Sequence, residues 1–441
     1  MRISNIKLFQ KKLPSAGQIS NIINSPLFSG SAIMIFGSNA VSFLNYLYHL
    51  VMGRMLGPSF YGELVALISL IGLFAIIPGS LSMVIIKYVS AAKNEVESTG
   101  LIKWLKSKGF RISLIIFIFI LIISPSLANF LHIEKLSYLI LIAISFSLSI
   151  QVVINRSALQ GLLKFKETVL SIFAEVGFKF ILSLVLIFAG YRVGGAMMAL
   201  TVSVFVGWYM TNLYLRDRLK KDSVYSPDIK KMLFFSFPVL VQSFATTSIY
   251  TSDVILVKHF FSSFDAGIYA SLSTLGKIIF FGASPIASVM FPLVSQRQSK
   301  GERYRNIFIY SLLGTLLLAS GVLIIYWLVP EIAISLLYGS AYLEAADLLV
   351  WFGVFMTLFT LSSLLINFNL SLGRTGVVIL PLIAAIIQVV AIWFYHHTLF
   401  VIILISTLVT ALLLGSLLIY SSYGRDTRDR NKIDFSNNPS L

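Results

Sequence analysis

Four ionisable residues stand inside long apolar stretches: Glu175 and Lys179 within 168–190, Asp253 within 232–257, and Lys277 within 265–291. A charge near the middle of a bilayer costs roughly 2.5–3.5 kcal/mol on insertion scales, so each of these groups needs a partner or a function. Lys277 has Ser273, Thr274, Phe280 and Phe281 three and four residues away, so no acid on its own helix can neutralise it. Its counter-charge must come from another helix, with Glu175 and Asp253 available, or from an anionic ligand in an aqueous cavity. Lys179 follows Glu175 by four residues in the favourable order. The two either neutralise each other or divide the work, Lys179 facing an anion while Glu175 takes up a proton or cation. Asp253 can pair with Lys258 or bind a coupling cation, although five residues is poor helical spacing.

Three more cations border apolar stretches: Arg54 and Lys87 at the two ends of 61–88, and Arg156 after Asn155. They serve either as interfacial anchors or as further contacts for an anion in a cationic cavity. Asn39, Asn45, Gln242, Gln388, Asn367 and Asn369 could bond the hydroxyls of a ligand or, more commonly, tie helices together. Pro78, Pro238, Pro285 and Pro381 can each kink a span. His49, His396 and His397 are too scattered for a metal site, and the absence of cysteine removes disulfides, thiolate metal sites and cysteine nucleophiles. No metal and no cofactor is expected; a coupling ion, H+ or Na+, is left open.

The elements that position these groups are set by composition. Of 441 residues, 57% are hydrophobic and 12% charged, against about 25% charged in soluble domains. The apolar residues fall in blocks long enough to cross about 30 Å of hydrocarbon. The expectation is an all-α polytopic membrane protein with about 12 spans, near 28–52, 61–88, 112–131, 136–155, 168–190, 193–215, 232–257, 265–291, 307–329, 345–368, 376–395 and 399–421. Alternate connections hold 28 of the 34 Lys and Arg residues, the opposite set only four. The positive-inside rule then predicts both termini in the cytoplasm, with residues 1–27 a retained cytoplasmic segment and no large domain on the outer side. The net charge of +16 therefore reads as topology and anionic membrane lipids as partners, with no nucleic acid.

The chain also repeats itself. Leu56-Gly-Pro-Ser-Phe-Tyr-Gly resembles Phe260-Phe-Ser-Ser-Phe-Asp-Ala-Gly, and Gly62/Gly267 and Ser90/Ser295 share an offset of 205 residues. Six spans per repeat is even, which gives two parallel halves: bundles at 28–215 and 232–421, a basic cytoplasmic linker at 216–231 and a tail at 422–441.

Gly53-Arg-Met-Leu-Gly-Pro-Ser-Phe-Tyr-Gly, followed by a span ending Lys87-Tyr-Val-Ser, resembles the N-terminal block of the polysaccharide-exporter family of the multidrug/oligosaccharidyl-lipid/polysaccharide superfamily. Gly267-Ile-Tyr-Ala running to Pro285 and Met290-Phe-Pro-Leu-Val-Ser is similar to its second-half counterpart. The resemblance implies two pseudo-symmetric six-helix bundles in a V, and a flippase that moves a lipid-linked oligosaccharide on an undecaprenyl-pyrophosphate-type carrier across the cytoplasmic membrane. It also brings in other polysaccharide-assembly proteins as partners. A cation-coupled multidrug exporter is the alternative, but it needs acidic cavity residues, and Glu175 and Asp253 are all the spans offer. An enzyme is not expected: no long outer loop, acidic pair or embedded histidine suggests one.

Overall fold

The computed structural model describes residues 26–221, 227 and 229–437. Most of the expected N-terminal segment, the centre of the linker and the last four residues lie outside that range. The described chain is helical: α1 (Pro26–Phe74), α2 (Ile76–Ser90), α3 (Glu95–Phe130), α4 (Leu136–Gly161), α5 (Phe165–Phe188) and α6 (Arg192–Leu219) come first. They are followed by α7 (Ile229–Ile249), α8 (Ser252–Phe260), α9 (Ser263–Ser299), α10 (Arg305–Leu328), α11 (Pro330–Leu337), α12 (Ala346–Ser371), α13 (Ile379–Phe394) and α14 (Leu399–Asn437). Ten described helices are long and apolar enough to cross a membrane, with α2 and the second half of α7 as shorter apolar pieces. The chain is a multi-pass membrane protein.

The first helix contains two spans. At Gly57 the backbone leaves the helical region (φ 71, ψ 172), a conformation that glycine adopts readily, and Pro58 starts the next stretch. Tyr61 Oη then reaches His49 Nδ1 at 3.3 Å, whereas twelve residues of unbroken helix would separate them by about 18 Å along the axis. The chain therefore folds back on itself at Gly57. The equivalent break, 205 residues on, is Ser262, whose hydroxyl caps α9 by accepting from the Asp265 amide at 3.1 Å. Folding back at Gly57, and joining α7 to α8, divides the described helices into about twelve spans in two six-helix bundles.

The bundles meet most closely at the repeat glycines. A Cβ on Gly267 would lie 1.9 Å from the Pro58 carbonyl oxygen, and one on Gly62 would lie 2.5 Å from the Gly267 amide nitrogen. The two backbones are in van der Waals contact here, as small residues allow in membrane helices. Around this crossing Tyr61 Oη bonds Thr274 Oγ1 at 3.0 Å and Tyr338 Oη at 3.1 Å. Tyr342 donates to the Gly53 carbonyl at 2.8 Å, and the Tyr338 ring occupies the space that a side chain on Gly53 would need. A second tie at the same end stacks the Phe130 ring of α3 on His259 of α8 at 4.0 Å, with Trp393 of α13 beside them at 5.7 Å from His259.

The opposite ends of the helices, at Ser90, Ser299 and Ser371, are where the basic connections cluster, and are called the basic end below. Here α2 of the first bundle still packs against α7 of the second, and a cavity lies beside that contact.

Gly267→Ala is expected to lower the melting temperature of the detergent-solubilised protein by an amount matching about 1–3 kcal/mol of overpacking. Gly321→Ala, where a Cβ meets nothing within 4 Å, should leave it unchanged. Equal melting of the two variants would mean the crossing is not tightly packed.

Candidate transport cavity

A cavity of about 1260 Å³ opens toward the basic end. It exceeds the 300–1,000 Å³ usual for small-molecule sites. The first bundle contributes Met83, Lys87 and Tyr88 of α2 to its wall. The second contributes Gln242 and Ser243 of α7, Ser284 and Ser288 of α9, Thr315 of α10, and Thr360, Ser363 and Asn367 of α12. At its deep end, sharing Ser243, lies a recess of about 360 Å³ walled by His49, Ser69, Thr247, Tyr250, Thr251 and Lys277. No Asp or Glu lines either space among the described residues.

Lys277 projects into the recess with its ammonium 5.5 Å from the centre of the Tyr250 ring, a cation–π contact. It joins none of the ion pairs among the described residues. Asp253, the acid within its electrostatic reach, is fully buried and already engaged. One carboxylate oxygen accepts from the Tyr269 hydroxyl at 2.8 Å and the other from the Val254 amide at 2.9 Å. Lys258 does not pair with Asp253; its ammonium donates to Ser263 Oγ at 3.0 Å.

The charges of the first bundle are paired differently from the local i, i+4 expectation. Glu175 binds Arg156 at 2.7 Å, and the same guanidinium donates to the hydroxyl and the carbonyl of Ser171, both at 3.0 Å. Gly207 makes room, since a Cβ there would lie 2.2 Å from Glu175 Oε2. Lys179 turns instead to α1, donating to Asn45 Oδ1 at 2.7 Å and lying 4.4 Å over the Tyr48 ring. Arg54 is at the far end, where it donates to the carbonyls of Ser335, Leu336 and Leu337 and so caps the C-terminus of α11 in the other bundle. Of the candidate cations, then, Lys87 and Lys277 share the cavity and its recess, Arg156 and Lys179 bind within the first bundle, and Arg54 bridges the closed end.

The amides divide in the same way. Gln242 and Asn367 face the cavity. Gln388 donates to the Ile249 carbonyl at 3.0 Å and to Ser406 at 2.9 Å, and Asn369 donates to Ser421 at 2.7 Å. These last two tie helices of the second bundle together. Sequence reasoning missed Thr315 and the Tyr61, Thr274, Tyr338 and Tyr342 cluster. Tyr61 lay within the run from Gly53 to Gly62 and Thr274 within the block from Gly267 to Pro285, whereas Tyr338 and Tyr342 lay in no motif. His49, read from sequence only as too isolated for a metal site, lies in the recess.

A family model described as "Polysaccharide biosynthesis protein" matches residues 28–298. The chain belongs to that family. No curated protein sequence matches it. The fold is that of solved transporters of the MOP superfamily. One is an inward-facing multidrug resistance MATE family transporter, with TM-score 0.72 and 15% identity over 86% of this chain and 95% of that one. Another is the lipid II flippase MurJ in an inward closed conformation, with TM-score 0.69 and 14% identity over 88% of this chain and 87% of that one. A third is a MOP superfamily transporter from Pyrococcus furiosus whose binding pocket is described as reversed in polarity, with TM-score 0.58 and 16% identity over 91% and 97%. The family and these neighbours are transporters and flippases.

Arg156→Ala is expected to destabilise the protein by about 3 kcal/mol, because it strands the Glu175 carboxylate inside the bundle. Arg156→Ala combined with Glu175→Gln should recover most of that loss in a thermal melt. A double variant no more stable than the single would show that the pair does not act as a unit.

Proposed function

We propose that this protein is a flippase that carries a lipid-linked oligosaccharide, on an undecaprenyl-pyrophosphate-type carrier, across the cytoplasmic membrane by alternating access, for surface polysaccharide assembly. The observation that carries the reading is Lys277: a cation facing a recess, with no ion-pair partner among the described residues, at the deep end of a cavity of oligosaccharide size. A pyrophosphate group supplies the missing counter-charge, and the polar wall below it receives sugars. The basic end is the cytoplasmic end by the positive-inside rule, so the conformation described here loads from the cytoplasm, where Lys87 stands near the cavity mouth. On this reading the cycle rocks the two bundles between this state and one open to the outside. A coupling proton or cation is assigned to Asp253 or Glu175, each of which already has a defined partner to exchange. The family supports the glycan class, and the solved lipid II flippase supports the use of this fold for such cargo.

The drug-exporter alternative needs acids facing the cavity to bind organic cations. Asp253 is sealed by Tyr269, Glu175 is held by Arg156, and no other carboxylate lines the cavity among the described residues, so the anionic cargo is favoured.

In proteoliposomes, a fluorescent undecaprenyl-pyrophosphate sugar should become accessible to a membrane-impermeant quencher with the native protein. Lys277→Ala should slow that movement at least about tenfold, as expected for loss of a charge-assisted contact worth about 1.5–3 kcal/mol, and Lys277→Arg should retain part of it. Equal rates for the native protein and Lys277→Ala would remove Lys277 from the site. Transport of an organic cation but not the lipid would favour the exporter.

A further inference from the structure

A second space, on the flank of the first bundle, takes no part in cargo transport as proposed. α2 and α3 each pack along α4 but barely touch one another, so a groove runs between them. Ile77 and Leu81 of α2 face Ile112 and Ile116 of α3 across it, Ile154 of α4 forms its floor, and Met232 of α7 reaches in from the second bundle. It encloses about 170 Å³ and is almost wholly apolar. Met83 and Lys87, on the other side of α2, line the transport cavity, so α2 stands between the two spaces. An empty apolar groove forfeits the dispersion contacts of its lining, and water finds no polar partners there. An engineered apolar cavity of about 150 Å³ stays dry and binds benzene; this one has room for the upper part of a hydrocarbon chain.

The depth of the groove shows which part of such a molecule meets which residue. α3 ends at Phe130, and 30 Å of hydrocarbon corresponds to about 20 residues of helix, so the boundary with the headgroups falls near Phe110. Ile112 and Ile116 lie inside the hydrocarbon. Trp104 and Lys108, which also line the groove, stand at headgroup level, where tryptophan and lysine are commonly found.

The charge at the mouth is uncompensated. Lys108 is the one charged residue of the lining among the described residues. It is exposed, as is Arg111 one turn further along, and neither joins an ion pair among the described residues. No acid lies within four residues of either on α3. The acids in the first turn of that helix are engaged elsewhere: Glu95 pairs with Lys221 at 2.8 Å, and Glu97 accepts from the Lys93 amide at 2.9 Å. A hydrocarbon chain that ends in a phosphate complements both the apolar groove and its cationic mouth.

We propose that this groove binds an anionic phospholipid from the leaflet at the basic end, with one acyl chain between α2 and α3 and the phosphate at Lys108 and Arg111. A carrier lipid engaged in transport is poorly placed to fill it, because α2 separates the groove from the cavity that takes the cargo. Since Met232 belongs to the other bundle, the bound chain touches both bundles beside the contact of α2 with α7. The lipid therefore favours the conformation described here over one in which that contact parts.

The test places the full protein in phosphatidylcholine nanodiscs with a trace of phosphatidylglycerol or phosphatidylcholine carrying a diazirine high on one acyl chain. Photolabelled peptides are quantified by mass spectrometry against the lipid face of α10, where Leu313 and Leu317 are exposed. In the native protein, phosphatidylglycerol should label α2 and α3 at the groove at least about fivefold more than phosphatidylcholine does, the preference expected from one surface cation. Lys108→Gln combined with Arg111→Gln should abolish that preference, and Lys108→Arg should keep it. Ile112→Trp, at an exposed position, should fill the groove and remove the label from α2 with both charges in place, which general attraction to a basic surface would not do. Equal labelling of the groove by the two lipids in the native protein overturns the proposal without recourse to any variant. So does a preference that survives the double substitution, an Ile112→Trp protein labelled as the native one is, or a diazirine polyprenyl phosphate that labels the groove more strongly than phosphatidylglycerol.

Discussion

The contact on which the rest of the structure depends is the crossing of two backbones at Gly62 and Gly267. Lipid tails are as apolar as leucine, so helices in a membrane gain little from burying apolar surface against one another. They associate through close packing and polar bonds instead. Two glycines at equivalent positions of the repeat let α1 and α9 touch, and the tyrosines at 61, 338 and 342 fill the space around them. With that end closed, the space between the bundles lies toward the other, beside the contact of α2 with α7. Lys277 lies ten residues beyond Gly267 on α9, about 15 Å along the axis. That is half the thickness of the hydrocarbon core. The seal therefore occupies one half of the membrane and the cavity the other, with the lysine at the boundary between them.

The chain handles its intramembrane cations in three ways, and the differences explain why only some can serve a substrate. Arg156 is satisfied in full by Glu175 and Ser171. Lys179 is satisfied in part, by one amide oxygen and a ring face. Lys277 has a ring face and, at longer range, a carboxylate committed to Tyr269. The gradient runs from the first bundle, whose charges are internally neutralised, to the second, which furnishes most of the cavity wall. Cargo recognition is thus asymmetric even though the fold is a repeat: the first bundle contributes α2 and Lys87 to the lining, and the second contributes the polar rows of α7, α9 and α12.

Much of this was legible in the sequence, for identifiable reasons. Span length and charge follow directly from the solvent, since hydrocarbon tolerates little else. The repeat was visible because the close approach at its centre leaves no freedom in residue type at Gly62 and Gly267. Lys277 stood out because its helical neighbours exclude a local partner. What could not be read was pairing between helices. Glu175 and Lys179 satisfy the i, i+4 rule, yet Arg156 reaches Glu175 from α4, because a guanidinium that bonds Ser171 as well as the carboxylate outcompetes a lysine that has Asn45 and Tyr48 available on α1. Asp253 and Lys258 are close in sequence, but Tyr269 and Ser263 take their places. For Gln388 and Asn369 the sequence left ligand binding and helix tying both open, and they are helix ties, because an amide has no local signal that tells which of its neighbours will face it. The short helix α11, which falls between the expected spans 307–329 and 345–368, covers too few turns to stand out.

For alternating access the seal must be firm enough to hold and weak enough to part. Among the described residues no ion pair joins the two bundles: Arg156–Glu175 lies within the first, Lys221–Glu95 ties the linker to it, and Lys220–Asp217 lies within the linker. What joins them is a set of hydroxyl bonds, ring contacts and the Arg54 cap on α11. Interhelical hydrogen bonds of this kind are worth only about 0.6 kcal/mol each in a membrane, since the separated groups find other partners. Tyr61, Thr274 and Tyr338 would meet water when the closed end opens, and each can exchange a protein bond for a solvent one at small cost. Arg54 can do likewise, being exposed. The glycine contact costs little to break, because apolar backbone and lipid or water fill the gap without stranding a charge. A salt bridge at the same place would have to be desolvated on each closing and hydrated on each opening, and would make the cycle depend on ionic strength. By keeping its ion pairs inside one bundle and joining the two with neutral contacts, the protein confines the expensive electrostatics to the site where a charged substrate can offset them.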